Sequence, residues 1–349
     1  NLIFFGCIAI SVICGYLALK KVSPTFKARS NVEKITFDSK KASGVVFRKN
    51  KKSGHSPLHA KAHREVILSS GAINTPKLLQ ISGIGPPDLL KSFGIDILHP
   101  LQGVGQNLQD HLQIRTVFKL KNAKTLNDTY KSLFGKIGMG LEYLFNRSGP
   151  ISMAPSQLGV FAKSDPSLDD PNLQYHIQPL SLDAFGEPLH TFSAITASVC
   201  NLQPDSRGTV TIRSPNADDN PVIKPNYLST PSDKNIAAKS ITLTRNIFAT
   251  EAMRKYEPTE FLPGAEHQSP KALAEQAGNI STSIFHPVGT AKMGTGKDAV
   301  VDRELNVYGI QNLRVVDASI MPKITSGNTN SPTLMIAEKA ADMILQNSR

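Results

Sequence analysis

The chain has 349 residues, enough for one large domain or two ordinary ones with a full core. Its 40% apolar and 19% charged content excludes a disordered chain, and 39 Lys and Arg against 28 Asp and Glu give a formal charge of +11. The cations are dispersed apart from Lys40-Lys41 and the stretch Lys49 to Lys52, and no recognition motif accompanies them, so solvated surface is expected and nucleic acid is not an expected partner. Cys7, Cys14 and Cys200 offer neither a disulfide framework nor metal-ligand spacing. No Gly-x-Ser-x-Gly elbow occurs, which speaks against a serine hydrolase.

Residues 1–19 carry no charge and end at Lys20-Lys21, the minimal length and basic flank of a membrane-spanning helix. The other reading of this run is an accident of a partial chain, and both stay open. Residues 32–48 read as two strands about a turn at Ser39–Ser43, and Glu65–Ser70 as a further strand ending at Gly71. Asn74 or Thr75 is expected to cap a helix opened by Pro76 and stopped by Gly83 and Gly85. A short helix follows at Asp88–Gly94, and Val104–His111 leads out of this region.

Residues 112–285 differ in texture. Strand-like runs recur at 114–120, 159–162, 173–177, 192–202 and 208–213, with one helical segment at 233–250. A mostly antiparallel sheet with helices on one face is the simplest reading. His176 and Gln178 share one face of their strand, with Tyr175 on the other, and strand packing is preferred to a cavity lining.

The last sixth is the most ordered in its signals. Leu313–Val316 reads as a buried strand after a turn. Ser331-Pro332 places a capping hydroxyl before a proline suited to a first helical position, and Leu334, Ala337, Ala341 and Ile344 recur at helical spacing. That helix would aim its free N–H groups and positive dipole end at whatever Asn330 faces.

Three blocks here, His286-Pro287…Gly289-Thr290…Met293-Gly294, Val315-Val316-Asp317-Ala318-Ser319…Met321-Pro322 and Gly327-Asn328-Thr329-Asn330, resemble the C-terminal signature of the GMC (glucose–methanol–choline) oxidoreductases. The run from Gly71-Ala72-Ile73-Asn74-Thr75-Pro76 to Gly83-Ile84-Gly85 resembles the second signature of the same family. The likeness covers residues 30–345 and is strongest toward the choline dehydrogenase-like branch.

The resemblance implies an FAD-dependent oxidoreductase acting on the CH–OH group of a small-molecule alcohol. It implies a mixed α/β and α+β fold. An incomplete, discontinuous Rossmann-like FAD-binding domain (23–108 and 286–349) would carry an inserted antiparallel-sheet substrate domain (109–285). Residues 1–22 would form a separate apolar segment, with membrane association through 1–19 as one of its two readings. His286 matches the family's catalytic histidine, whose near-neutral titration suits accepting a hydroxyl proton. Asn330 matches the second catalytic position, where an amide hydrogen-bonds the substrate oxygen. Gly71, Ala72, Asn107, Asp317, Ala318 and Ser331 match cofactor contacts. Asp110 and His111 match a motif at the crossing between domains, where structural hydrogen bonding is as good a reading as a functional one. No metal is implied, and no electron acceptor is singled out.

The family's first signature, the region where some members attach flavin covalently and the dinucleotide fingerprint are missing. The Gly-x-Gly pairs Gly83/Gly85, Gly103/Gly105, Gly138/Gly140 and Gly294/Gly296 have Asp88, Leu108, Tyr143 and Ala299 where Gly-x-Gly-x-x-Gly needs its third glycine. The alternative reading is therefore a non-catalytic, truncated chain that does not retain FAD.

Overall fold

The computed structural model describes residues 30–49, 56–154, 156–184 and 186–346. The apolar run 1–19 lies outside the described residues. Among the described residues no helix is long and apolar enough to cross a membrane. The chain divides into two compact units, one of Arg29–Leu112, Asn201–Lys234 and Ser283–Arg349, the other containing Gln113–Cys200 and Asn235–Thr282. The sequence expectation of one insertion over 109–285 differs from this partition in placing Asn201–Lys234 with the insertion. Buried Gln80 shows why that segment belongs with the first unit: its amide nitrogen donates to the Val210 carbonyl (3.0 Å) and its oxygen accepts from Ile212 N–H (2.8 Å).

In the first unit, strands Ser30–Asp38 and Lys41–Lys49 form an antiparallel hairpin that continues into Leu58–Lys61. The turn is only two residues, with Ser39 at φ 50°. Val66–Leu68 pairs in parallel with Leu313–Val315. Val66 and Leu68 are buried while Ile67 between them is exposed, the period of two that the pleat dictates. This pairing sets the end of one motif, Gly71, beside the end of another, Asp317. Ile35, Leu79, Val104, Val288, Val301, Leu313, Val315 and Ile336 share one apolar core around it.

The helix expected to start near Pro76 begins five residues earlier and spans Gly71–Ile81, with Pro76 inside it. Thr75 is not its cap; its hydroxyl donates to Asp317 (2.6 Å), and Asp317 also accepts the Gly71 N–H (2.9 Å). A proline at the sixth position removes the N–H that should reach the Ala72 carbonyl. The buried Thr290 hydroxyl donates to that carbonyl instead (2.6 Å), so the helix runs through the proline with its acceptor satisfied.

The last helix, Asn330–Gln346, buries Ile336 and Ala340, whereas Leu334 is exposed. The apolar spacing at Leu334, Ala337, Ala341 and Ile344 is helical, but the face that packs is one position round.

The other unit is built on a sheet with strand order Thr259–Leu262, Leu112–Lys119, Ala194–Asn201, Leu173–Gln178, Leu158–Ala162, with Ser281–Ser283 also paired to Leu112–Lys119. Ala194–Asn201 and Thr259–Leu262 both pair antiparallel with Leu112–Lys119, and Leu158–Ala162 pairs antiparallel with Leu173–Gln178. The long helix Pro231–Phe248 is tied to this sheet by Phe118 stacked on Phe248 at 3.8 Å. Tyr175 adds a hydroxyl bond to the Ser240 carbonyl (3.2 Å), and Arg245 forms a two-pronged bridge with Glu260 (both 2.8 Å). The buried Tyr175 thus takes the packing role, and His176 is half-buried.

Candidate active site

The segment Ser283–Thr290 threads through the first unit between two neighbours. On one side Gln109 and Val288 exchange both backbone hydrogen bonds (3.1 and 2.9 Å). On the other, Ala291 and Met293 donate to the carbonyls of Ser319 and Ile320 (2.9 and 2.8 Å). Gly289 sits where these lines converge at φ 91°, and a Cβ there would lie 2.7 Å from the Asn107 carbonyl oxygen. No other residue fits.

His286 is 8% exposed. Its backbone N–H donates to Asp110 Oδ1 (2.9 Å), and Asp110 Oδ2 accepts from the hydroxyls of Tyr227 and Ser283, both at 2.5 Å. Burial first, then the Asp110 charge, raises the Tyr227 phenol above its ordinary range, so it stays protonated and donates. Ser283 also accepts the Phe285 N–H (2.9 Å), and Phe285 takes a left-handed conformation, φ 65°, immediately before the histidine. A bulky residue held there is strained, and the Asp110 cluster is what holds it.

Each ring nitrogen of His286 has a neighbour. Nδ1 lies 3.0 Å from Nδ1 of the fully buried His111, whose Nε2 lies 3.0 Å from the Leu202 carbonyl oxygen. Nε2 lies 3.4 Å from the amide nitrogen of Asn328. Burial, the dominant influence, holds His111 below the usual histidine pKa; the Leu202 carbonyl and the Asp110 charge partly oppose it.

Among the other residues singled out by sequence, Asn107 (φ 61°) donates to the carbonyls of Gly289 (3.1 Å) and Pro322 (3.3 Å) and accepts from Arg207 (3.2 Å). It pins the histidine loop to the segment after Asp317. Asp317 collects the Gly71 N–H and Thr75 hydroxyl on one oxygen, and the Ser319 N–H (2.8 Å) and hydroxyl (2.5 Å) on the other. Ala72 is buried, and Ala318 packs against the core. Asn330 and Ser331 are exposed at the first turn of the last helix. The amide that the structure sets against His286 is that of Asn328, two residues earlier in the same motif. His111, Tyr227, Ser283 and Thr290 complete the site. His111 had a signal in sequence as a member of the motif ending in Asp110-His111, and Thr290 as a member of the block that begins at His286.

Two features are suited to a large anionic or electron-rich group. Gly71 opens its helix at φ 77° with nothing within 4 Å of the place a Cβ would occupy, leaving room for close backbone approach. The 17-residue last helix has no acidic residue in its first turn, so its positive end is not neutralised locally.

Comparison with known proteins agrees with these observations. Family models described as GMC oxidoreductase match residues 17–113 and 204–337. Mitochondrial choline dehydrogenase of Homo sapiens is 42% identical over 96% of this chain and 56% of its own length. Alcohol dehydrogenase [acceptor] of Pseudomonas putida is 40% identical over 91% of this chain and 57% of its own. The chain thus spans somewhat over half the length of these curated relatives. Among solved structures, formate oxidase of Aspergillus oryzae superposes with a TM-score of 0.84 at 26% identity, covering 91% of this chain and 60% of that one. An FAD-dependent oxidoreductase from Chaetomium thermophilum gives 0.80 at 27% identity, covering 92% and 61%. Two signature blocks, a buried histidine at the place the signature assigns it and these relatives lead to one conclusion: the chain belongs to the GMC oxidoreductases.

Proposed function

We propose that this chain carries the substrate-activating half of an FAD-dependent oxidoreductase that oxidises the CH–OH group of a small-molecule alcohol, of the kind the choline and alcohol dehydrogenases act on. The observation that carries this reading is His286: buried, fixed by its own backbone through Asp110, and bonded at Nδ1. His286 Nε2 accepts the hydroxyl proton. The Asn328 amide, set 3.4 Å from His286 Nε2 where the family signature had pointed to Asn330, donates to the substrate oxygen as alkoxide character develops, which stabilises the reacting state more than the bound alcohol. FAD, when bound, supplies the hydride acceptor.

Gly71 and Ala72 would face the diphosphate or ribose of FAD, Asp317 and Ala318 the diphosphate and ribityl chain, and Asn107 and Ser331 the ring side. Asp317 acts here by fixing Gly71 and Ser319, since its oxygens are occupied by their donors. The unit containing these residues is discontinuous in sequence and is read as the FAD-binding domain. The antiparallel-sheet unit is read as the substrate domain. Orientation and electrostatics are the protein's share of the work.

The test is the visible absorption spectrum of the purified chain with added FAD. Flavin bands that survive gel filtration and bleach on addition of an alcohol are expected. His286→Ala should lower turnover by about two to four orders of magnitude while flavin stays bound. A chain that retains no flavin overturns the reading for this chain and favours the alternative, a GMC-like sequence without its own cofactor. An unchanged rate in His286→Ala removes the histidine from the chemistry.

A further inference from the structure

We propose that His111 is a positioning residue that fixes the tautomer of His286, keeping the proton on His286 Nδ1 and the basic lone pair on His286 Nε2. The proposal rests on the reading of His286 as proton acceptor and adds what sets it up for that role.

One chain of contacts fixes where the protons sit. A carbonyl oxygen can only accept, so the 3.0 Å contact from His111 Nε2 to the Leu202 carbonyl requires a proton on His111 Nε2. A neutral imidazole has one N–H, which leaves His111 Nδ1 as a bare acceptor. The contact between the two Nδ1 atoms, also 3.0 Å, then needs its proton from His286. Neutral His286 with a proton on Nδ1 has none on Nε2.

Two further observations bear on the chain. His111 is fully buried, and burial disfavours its charged form, the only form in which both of its nitrogens would donate. The opposite end agrees independently: the amide nitrogen of Asn328 has only protons to offer to His286 Nε2, at 3.4 Å. The Leu202 end requires this tautomer, and the Asn328 amide as placed matches it. A free histidine favours the other form, with its proton on Nε2, and in that form the nitrogen nearest Asn328 could not accept a substrate proton. The near-perpendicular ring arrangement, 83° between planes, excludes stacking as the reason for the contact.

The test is long-range imidazole ¹⁵N–¹H NMR of the full chain, which distinguishes protonated from bare ring nitrogens. The wild-type spectrum should show His286 with pyrrole-type Nδ1 and pyridine-type Nε2. His111→Phe, which offers no acceptor, should move the proton to Nε2. His111→Gln, whose amide carries an acceptor and a donor at similar separation, should restore the wild-type pattern. In flavin-loaded protein, His111→Phe should lower kcat by roughly ten- to a hundred-fold with KM held, and His111→Gln should recover most of it. A wild-type His286 protonated on Nε2, or an unchanged tautomer in His111→Phe, overturns the proposal. If the tautomers follow His111 while His286→Ala turns over normally, the proposed chemistry fails and the positioning role stands. Should His111→Phe not fold, the wild-type spectrum and His111→Gln still decide it.

Discussion

Two buried carboxylates, Asp110 and Asp317, hold the two halves of the site, and they do so differently. Asp317 has one backbone donor on each oxygen, Gly71 N–H on one and Ser319 N–H on the other, each backed by a hydroxyl. Asp110 has a single backbone donor, His286 N–H, and its second oxygen receives only the hydroxyls of Tyr227 and Ser283. A backbone N–H cannot turn round, whereas a hydroxyl can rotate to accept. Asp317 therefore fixes the course of the chain and needs both of its oxygens. Asp110 fixes one point and adapts at the other.

The sharpest way to break this comparison is the same isosteric change at both places. Asp317→Asn retains one oxygen, so one buried N–H must face an amide NH₂. A loss of about 3 kcal/mol of stability is expected in urea unfolding, from the unsatisfied donor and the lost charge-assisted bonds. Asp110→Asn can keep its oxygen toward His286 and turn its NH₂ to hydroxyls that now accept, so about 1 kcal/mol is expected. Equal losses at the two sites would show that the donor type does not matter.

The pH dependence of stability sharpens the Asp110 side. His111 faces Asp110 and His286, and its folded pKa lies below the unfolded value, so the unfolded chain binds the proton more readily. The stability it contributes is complete above about pH 6.5 and falls as pH drops below that, by at most about 1.4 kcal/mol per pH unit. His111→Phe should flatten that part of the stability–pH curve. A slope unchanged in the variant would place the titrating group elsewhere.

The smallest effect concerns the strained residue that Asp110 holds in place. Phe285→Asn should be more stable than Phe285→Val by roughly 0.5–1 kcal/mol, because Asn tolerates a left-handed backbone and a β-branched side chain does not. Thermal melts of the two variants at one pH measure it. Identical midpoints would mean that the loop relaxes out of that conformation.

Much of this was legible in sequence where signals are local. The strands at Val32–Arg48 and Leu313–Val316, the helix near 233–250 and the alternation in 112–202 follow from pattern, and His286 from its place in a motif. What escaped depends on partners far along the chain. Pro76 reads as a helix start unless one knows that Thr290 will satisfy the carbonyl the proline leaves open. Thr75 reads as a cap unless Asp317 is known to claim its hydroxyl. Leu334 and Ile336 have equal claim to a buried face until the neighbour is in place. His111 and Tyr227 are polar residues in loops, and nothing local says that one sets a ring's proton and the other a carboxylate's position. Asn328 and Asn330 stand in one motif, and only the folded chain separates the amide beside His286 from the one that opens the helix.

The parallel pairing of Val66–Leu68 with Leu313–Val315 has a consequence for synthesis of the chain. Gly71 and Asp317 are 246 residues apart. At ribosomal speeds of about 5–20 residues per second, the glycine emerges roughly 10–50 s before the carboxylate that starts its helix. During that interval Leu79 and its neighbours have no core to enter, and the edge of Val66–Leu68 is open to other strands. The arrangement that seats the Asp317 motif against the Gly71 motif thus makes the nascent chain dependent on protection until Asp317 has been made, and favours late, cooperative closure of the first unit over stepwise growth.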